Sequence, residues 1–231
     1  RPLLSLVEVA QNRRRAATAD DADLPALQEK TQKAFDELSA QLSAKAKGMD
    51  LTSPRTALRR VHEALIHKPM AASPDETFQA HSAYVDAVLE LLRQIVDGSK
   101  LSLDPDLDTF HLMTIALLRG PVQTENTAKL RGMGTVSLKA AAKGQTLSPQ
   151  RHELLSQWLS LWHYVDNEVE NSYAVAIASN PTYAPLFDMK GTDEASDAFK
   201  MAVVSQLLGG EAKGDPAAFL ALGNAAVSKQ N

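Results

Sequence analysis

The sequence predicts an all-α protein, and three observations lead to that fold class. The alternation of apolar and polar residues that half-buried strands need is absent, and β-branched residues are scattered. Glycines stand where helices are expected to end, at positions 98, 144 and 209–210. Helix starts are marked by a capping side chain followed by proline, at Ser53-Pro54, Ser73-Pro74, Ser148-Pro149 and Asp215-Pro216.

These signals predict eight helices. The first begins in an apolar, heptad-like run, and the fourth opens with a capping box because Glu76 follows Ser73 by three residues. The fourth also keeps a helical stripe of apolar side chains between Val85 and Val96. The predicted helices cover residues 3–18, 24–46, 54–68, 74–97, 106–143, 149–179, 192–208 and 216–229.

Helix length carries the architectural prediction. At 1.5 Å per residue, the fifth helix would reach about 57 Å and the sixth about 46 Å, too long for one compact bundle. Gly120-Pro121 is expected to kink or break the fifth, since proline removes a backbone donor. The short link 144–147 predicts an antiparallel pair. We therefore expect residues 1–231 to form a single helical domain of two stacked bundle modules, bridged by the shared helices 106–143 and 149–179.

Composition excludes several classes of function. The chain has 231 residues, 44% of them hydrophobic, so it can bury one large core or two smaller stacked ones. A net charge of −4 without a long basic stripe argues against a nucleic-acid partner. With no cysteine there can be no disulfide, thiolate chemistry or sulfur-based zinc site.

The ends of the chain suggest a piece of a longer protein. It begins at Arg1-Pro2 without methionine, and it contains neither a signal peptide nor an apolar run of about 18 residues. We expect an excised piece: either a soluble fragment cut between membrane spans, whose flanking transmembrane helices are then absent from it, or a trimmed cytosolic domain.

The acidic segment Ser102–Met113 suggests a cation loop at first sight. Asp104, Asp106 and Asp108 alternate as the first ligands of an EF-hand do. However, Thr109 occupies the sixth position, where the loop needs glycine, and the apolar Ile115 occupies the twelfth, where it needs glutamate. The segment is better explained by acidic residues gathered at a helix start, near the positive end of the helix dipole.

Other catalytic and metal-binding patterns fail on spacing. His62-Glu63 opens like a zinc motif, but His67 comes five residues after His62, so the two rings diverge by about 140° on a helix. Asp108-x-x-His111 occurs once and predicts a local ion pair. Glu-x-x-His pairs, phosphate loops and nucleophile elbows are absent from the sequence. We expect no enzyme activity, no metal and no cofactor.

Arginine is the residue type that suggests a binding site. Arg13, Arg14 and Arg15 point about 100° apart on a helix, so at least one must face the bundle or a partner. Arg119 and Arg131 lie twelve residues apart on the fifth helix. The simplest interpretation of these arginines is a charged helix face in contact with solvent. The functional interpretation is a binding site for a carboxylate, nitrate or similar anion. Its guanidinium donors would be those of Arg13 and Arg131, assisted by Arg14 or Arg119.

Four segments carry a family resemblance: Glu76–His81, Leu91–Asp97, Ser102–Met113 and Leu130–Gly134. Together they resemble a block of extracytoplasmic input domains in bacterial methyl-accepting chemotaxis proteins and membrane sensor kinases. The two-module layout is similar to nitrate- and nitrite-sensing domains and to helical bimodular chemoreceptor domains.

The opening segment Leu4–Thr18 resembles the first helix of these domains, which commonly carries Gln-x-Arg-Gly. Here Gln11 and Arg13 match, and Arg14 stands in place of the glycine. The resemblance implies the periplasmic portion of a bacterial inner-membrane protein, dimeric in the full-length receptor, that functions in signal transduction such as chemotaxis. Binding of a small ligand would favour one helix packing and shift helices by about 1–2 Å toward a cytoplasmic output module.

Other classes of function stay open. The chain could be a helical dimerisation or adaptor scaffold that binds protein. It could also be a sensor domain that responds to a partner binding protein instead of a small molecule. An enzyme would need acid and base groups that converge around His111 or His163, which their spacing does not support.

Overall fold

The computed structural model describes residues 1–46, 48–67 and 73–230, and in that part of the chain every regular element is helical. The all-α prediction is confirmed at this level. The helices are α1 (Pro2–Ala19), α2 (Leu24–Lys45), α3 (Thr52–His67), α4 (Pro74–Gly98), α5 (Leu107–Met113), α6 (Gly120–Ala141), α7 (Pro149–Ser179), α8 (Met189–Val203) and α9 (Pro216–Gln230).

If the π-helical turns that follow α5 and α8 are counted with those helices, the predicted helix boundaries agree with the structure to within three residues, and the predicted fifth helix corresponds to α5 and α6 together. The predicted end of the third helix at residue 68 lies outside the described residues. Ser73 and Ser148 act as predicted, since their hydroxyl oxygens accept from the backbone N–H of Glu76 and of Arg151, each at 3.2 Å. The predicted cap at Ser53 is wrong. Helix α3 begins at Thr52, two residues earlier than predicted, and the Thr52 N–H donates to the Asp50 carboxylate at 3.2 Å.

The expected disturbance at Gly120-Pro121 takes the form of a π-helical turn over Thr114–Arg119, which joins α5 to α6. The Gly120 N–H donates to the Ile115 carbonyl, five residues back. A Cβ at Gly120 would approach that carbonyl oxygen to 2.6 Å, so glycine is needed there. The wider turn absorbs a proline that has no N–H of its own to donate.

Three features were not predicted from the sequence. Short 3-10 helices occupy Leu101–Leu103, after α4, and Pro181–Leu186, between α7 and α8. A second π-helical turn covers Val204–Leu208 at the end of α8, where the Gly209 N–H donates to the Val204 carbonyl at 2.8 Å.

The chain divides into two compact units between Leu103 and Asp104. In the N-terminal unit, α1 packs against α2 and α4, and α3 packs against α4. Helices α2 and α3 meet through side chains: Phe35 lies against His62, and Ser43 lies against Arg55. Because the pairs follow opposite chain directions, α2 and α3 run antiparallel.

The C-terminal unit contains both of the helices that the sequence predicted to be long. Helix α6 packs against α7 and α9 and is buried over nearly all of its length between Pro121 and Leu138. Its contacts pair Thr127 with Gln230 and Arg131 with Asn224, so α6 and α9 run in opposite directions. Helix α5 packs against α7, and α8 packs against α9. Among the described helices, none combines the length and the apolar character needed to cross a bilayer.

Close packing in this unit depends on glycine at position 134. A Cβ there would approach the Phe219 ring to 2.5 Å and a Leu207 methyl group to 2.9 Å, and both side chains are fully buried. We expect Gly134→Ala to lower the free energy of unfolding by about 1–2 kcal/mol, the net of overpacking and alanine's higher helix propensity. Urea unfolding followed by circular dichroism measures the change.

Gly98→Ala is the matched control, because a Cβ at residue 98 would meet the flexible Met49 side chain at an ordinary 3.4 Å. We expect that variant to be as stable as the wild-type protein or slightly more stable. Equal stability of Gly134→Ala and Gly98→Ala would contradict the packing argument.

Candidate functional site

Two arginines of α1 enter the interior of the N-terminal unit. Arg13 is 2% exposed, and Arg14 is fully buried. The Arg14 guanidinium donates to the Ser82 hydroxyl at 3.1 Å and lies 4.8 Å from the centre of the Phe78 ring, within the range of a cation–π contact. Arg14 therefore joins α1 to α4.

The polar contacts of the Arg13 guanidinium are weaker than those of Arg14. Its Nη2 donates to the Leu65 carbonyl over a long 3.5 Å, and its buried Nε has no hydrogen-bond partner. Among the residues that the structure describes, Arg13 forms no ion pair. Burial lowers the pKa of the Arg13 guanidinium, an effect that Tyr84 partly opposes. A buried guanidinium with a free donor is a strong attraction for an anion.

Beside Arg13, a chain of hydrogen bonds leads from the core to the surface. Tyr84 Oη lies 3.0 Å from His62 Nδ1, and His62 Nε2 lies 3.1 Å from the Gln32 amide oxygen. The Gln32 amide nitrogen donates to the exposed Asp36 carboxylate at 3.0 Å. Since the amide oxygen can only accept, His62 Nε2 carries the proton and Nδ1 accepts from Tyr84. The Phe35 ring stacks on the imidazole, with centroids 3.8 Å apart.

The two buried histidines of this cluster are held in the neutral form. Burial, reinforced by the positive charge of Arg13, lowers the pKa of His62 to about 4, and Asp36 opposes the shift. Burial together with the charges of Arg13 and Arg14 lowers the pKa of His81 to about 3. Burial also raises the pKa of Tyr84. At neutral pH the fixed charge among these groups is that of the arginines.

The sequence analysis identified Arg13 and Arg14 but missed the partners His81 and Tyr84, and it considered His62 only as part of a zinc motif. A signal was present in α4, where Phe78, His81 and Tyr84 recur every three residues and so share one helix face. That His62 of α3 meets this face depends on helix packing.

The other two candidate arginines belong to the C-terminal unit and contact different partners. Arg131 is 2% exposed and donates to the Asn224 amide oxygen at 2.9 Å. Arg119 has a half-exposed side chain that lies 3.6 Å from the Glu168 carboxylate. Twelve residues of helix correspond to a rise of about 18 Å, so Arg119 and Arg131 do not converge.

A second polar cluster, in the C-terminal unit, is centred on Asp166. Its carboxylate accepts from the Gln123 amide and from the Lys200 ammonium, and that ammonium lies 5.2 Å from the centre of the Trp162 ring. Burial and the charge of Asp166 raise the pKa of the neighbouring Glu170. Asp166 and Lys200 thus have internal partners, and their contacts tie α6, α7 and α8 together.

The acidic segment also forms its own internal contacts. Asp104 accepts from the Thr109 hydroxyl at 2.7 Å, and Asp108 accepts from the Asn180 amide at 3.1 Å. The predicted ion pair between Asp108 and His111 is wrong, because Asn180 takes that carboxylate and His111 Nδ1 is left without a hydrogen bond. Within the described residues, no group of three histidine or acidic side chains could hold a metal ion.

Comparison of the chain with models of known families, with curated proteins and with solved structures returned no match. The resemblance to bacterial sensor domains, seen in the sequence, therefore stays a prediction.

The lowered pKa of His81 predicts a pH-dependent stability. In the folded state the pKa of His81 is about 3, below the ordinary value of 6.5. Neutral His81 therefore makes its full contribution to the free energy of unfolding above pH 6.5, and this contribution is lost as the pH falls from 6.5 through about 3. Each pH unit of acidification in this window lowers the free energy of unfolding by up to about 1.4 kcal/mol. We expect a smaller drop in melting temperature between pH 7 and pH 5 for His81→Gln than for the wild-type protein.

His163→Gln is the control for this experiment, because His163 is exposed on α7. It should reproduce the pH dependence of the wild-type protein. Parallel pH profiles for His81→Gln and the wild-type protein would contradict the assignment.

Removing the charge of Asp166 should destabilise the C-terminal unit, because the partly buried Lys200 would lose its main partner. We expect Asp166→Asn to lower the free energy of unfolding by about 2–4 kcal/mol, measured by urea unfolding. The exposed pair Lys190–Glu194 is the comparison, and Glu194→Gln should cost about 0.5 kcal/mol or less. Similar losses for both variants would show that burial of Asp166 has no energetic consequence.

Proposed function

We propose that this chain is the extracytoplasmic input domain of a bacterial transmembrane signalling receptor, and that it binds a small anion beside Arg13. In this proposal the domain lies in the periplasm between two membrane-spanning helices and is dimeric in the full-length receptor. The arrangement of two stacked bundles that share helices 106–143 and 149–179 stays a prediction, as does any part played by Arg131.

The observation that carries the proposal is the state of Arg13. A buried positive charge with an unused Nε–H is costly, and removing that cost is a source of binding energy for an anion. Gln11 is buried one turn of helix before Arg14, and together with Arg13 it matches the Gln-x-Arg part of the segment that resembles the first helix of known sensor domains. A carboxylate or nitrate matches the planar guanidinium in both charge and shape.

The position of Arg13 also supports a signalling role. It extends from α1 to the Leu65 carbonyl of α3, and the neighbouring Arg14 contacts Ser82 of α4. An anion that accepts from Arg13 changes the balance of contacts between α1 and both of these helices. The ligand would thereby favour one packing of α1 over another, which is the requirement for a shift in population.

The test is thermal denaturation in nitrate, nitrite, acetate or glutarate, compared with chloride at equal ionic strength. A ligand at a hundred times its dissociation constant adds about 2.7 kcal/mol, which corresponds to a rise of several degrees. We expect at least one of these anions to raise the melting temperature of the wild-type protein. Arg13→Met should remove that rise relative to its own baseline in chloride.

Arg119→Met is the control, since Arg119 is half-exposed and lies beside Glu168. Its response to the same anion should equal that of the wild-type protein. If no anion raises the melting temperature of the wild-type protein, or if Arg13→Met responds fully, the proposal is overturned.

A helical scaffold is the second candidate, and one observation favours it. Leu154, Leu161 and Tyr164 of α7 are 39%, 46% and 55% exposed. The seven-residue spacing of the two leucines is that of helices which pair with another helix. A protein that gives no response to any anion but self-associates through α7 would fit this alternative.

A further inference from the structure

Two arginines at the surface of the N-terminal unit stand beside each other without an acidic partner. Arg55 is partly exposed and Arg59 is exposed, and their spacing of four residues places them one turn apart on the same face of α3. Like charges at this spacing repel each other. Within the part of the chain that the structure describes, neither guanidinium forms an ion pair. The two positive charges are therefore not neutralised by the protein itself.

Serine side chains of α2 face these arginines. The Arg55 guanidinium donates to the Ser43 hydroxyl at 3.0 Å, and that hydroxyl donates in turn to the Ser39 carbonyl at 2.9 Å. These two hydrogen bonds hold Arg55 toward α2, and one N–H of its five is used. Ser39, Arg55 and Arg59 line the same recess between α2 and α3. The Ser39 hydroxyl forms no hydrogen bond with the described residues, so it is a third polar group available at the recess.

A ligand of this recess lies on the surface of the unit and not in its interior. Leu58 and Leu91 also line the recess, and both are at most 3% exposed. The space enclosed between the lining residues is about 20 Å³, which is room for about one water molecule. A larger ligand therefore stays outside the leucines, where it contacts the polar ends of the arginines and of Ser39 and keeps one side in solvent.

We propose that Arg55, Arg59 and the Ser39 hydroxyl bind a phosphate group, either free or at the end of a larger molecule. A phosphate group carries up to two negative charges, which match the two guanidinium groups. Its separate oxygens can accept from both arginines and from the hydroxyl at the same time. A planar monoanion such as nitrate neutralises only one of the two charges. The site is independent of the interior Arg13 and goes beyond the function proposed above.

The experiment is a titration of the whole chain with inorganic phosphate at constant ionic strength, followed by the backbone amide signals of residues 39, 55 and 59 in magnetic resonance spectra. We expect saturable shifts of these signals. Nitrate should bind at least about tenfold more weakly, the value of one charged hydrogen bond. Vesicles that contain phosphatidic acid, compared with vesicles of phosphatidylcholine alone, test a lipid headgroup as the source of the phosphate.

Two variants locate the site, and a third is the matched control. Arg59→Gln should weaken phosphate binding about tenfold or more, and Ser39→Ala about threefold. Arg60→Gln removes the same charge from the next residue of α3, which is exposed and does not line the recess. It should bind phosphate within about twofold of the wild-type protein, because solvent and salt screen a charge that makes no direct contact.

Each outcome supports or overturns this site. Loss of binding in Arg59→Gln with binding retained in Arg60→Gln supports it, and the probe that binds, free phosphate or phosphatidic acid vesicles, identifies the source. Equal loss in both variants would show attraction to positive charge alone and overturn it. Binding of neither probe, or equal binding of nitrate and phosphate, would also overturn it.

The variant Arg13→Met separates this site from the anion site in the interior. It should bind phosphate as the wild-type protein does. Loss of phosphate binding in Arg13→Met but not in Arg59→Gln would overturn the surface site and leave the proposal for Arg13 standing.

Discussion

Helix α1 brings the charged side chains of Arg13 and Arg14 into the interior of the N-terminal unit, and the polar contacts of that unit follow from this burial. A guanidinium removed from water needs oxygen or aromatic partners, which on helices can come only from side chains and from the rare accessible carbonyl. Arg14 finds Ser82 and Phe78 on α4, and Arg13 reaches only a distant carbonyl of α3. Burial, reinforced by the charges of Arg13 and Arg14, keeps the neighbouring histidine His81 neutral.

Arg13 has weaker polar contacts than the Asp166–Lys200 ion pair of the C-terminal unit. There, Asp166 is paired with Lys200 and Gln123, and Arg131 is bonded to Asn224. Those contacts cross between helices and fix their packing. A buried charge that already has a charged partner gains little from a ligand, whereas an unused donor of a buried guanidinium gains the energy of a charged hydrogen bond. Arg131 Nε also lacks a hydrogen bond, but the Arg131 guanidinium bonds Asn224 at 2.9 Å, whereas Arg13 reaches only a carbonyl 3.5 Å away.

The N-terminal unit also links the Phe35 ring of α2 to Arg13 of α1. Phe35 stacks on His62, His62 is hydrogen-bonded to Tyr84, and Tyr84 partly opposes the lowering of the pKa of Arg13 by burial. A change in the Phe35 ring would therefore reach Arg13 through His62 and Tyr84, which lie on different helices. Packed rings and single hydrogen bonds have discrete arrangements, which is the property that allows one site to bias another.

Local chemistry determined the helices of this protein. Serine followed by proline marks the starts of α4 and α7, and glycine at 120 is explained by the Ile115 carbonyl that a Cβ would strike. These signals act within a few residues of chain, so the sequence contains them in full. The sequence could also indicate that one of Arg13, Arg14 and Arg15 would face inward, because a helix turns by about 100° per residue.

Tertiary structure decided which groups meet. His62 belongs to α3, Gln32 to α2 and Tyr84 to α4, and their spacing along the chain carries no sign of their hydrogen bonds. The division between Leu103 and Asp104 assigned Arg13 and Arg131 to different units, although both appeared as candidates for one site. Contacts between helices depend on how side-chain volumes fill the space between them, and that is a property of the folded chain as a whole. Helix starts and ends, by contrast, are satisfied by neighbours in sequence, and for this reason they could be read without the fold.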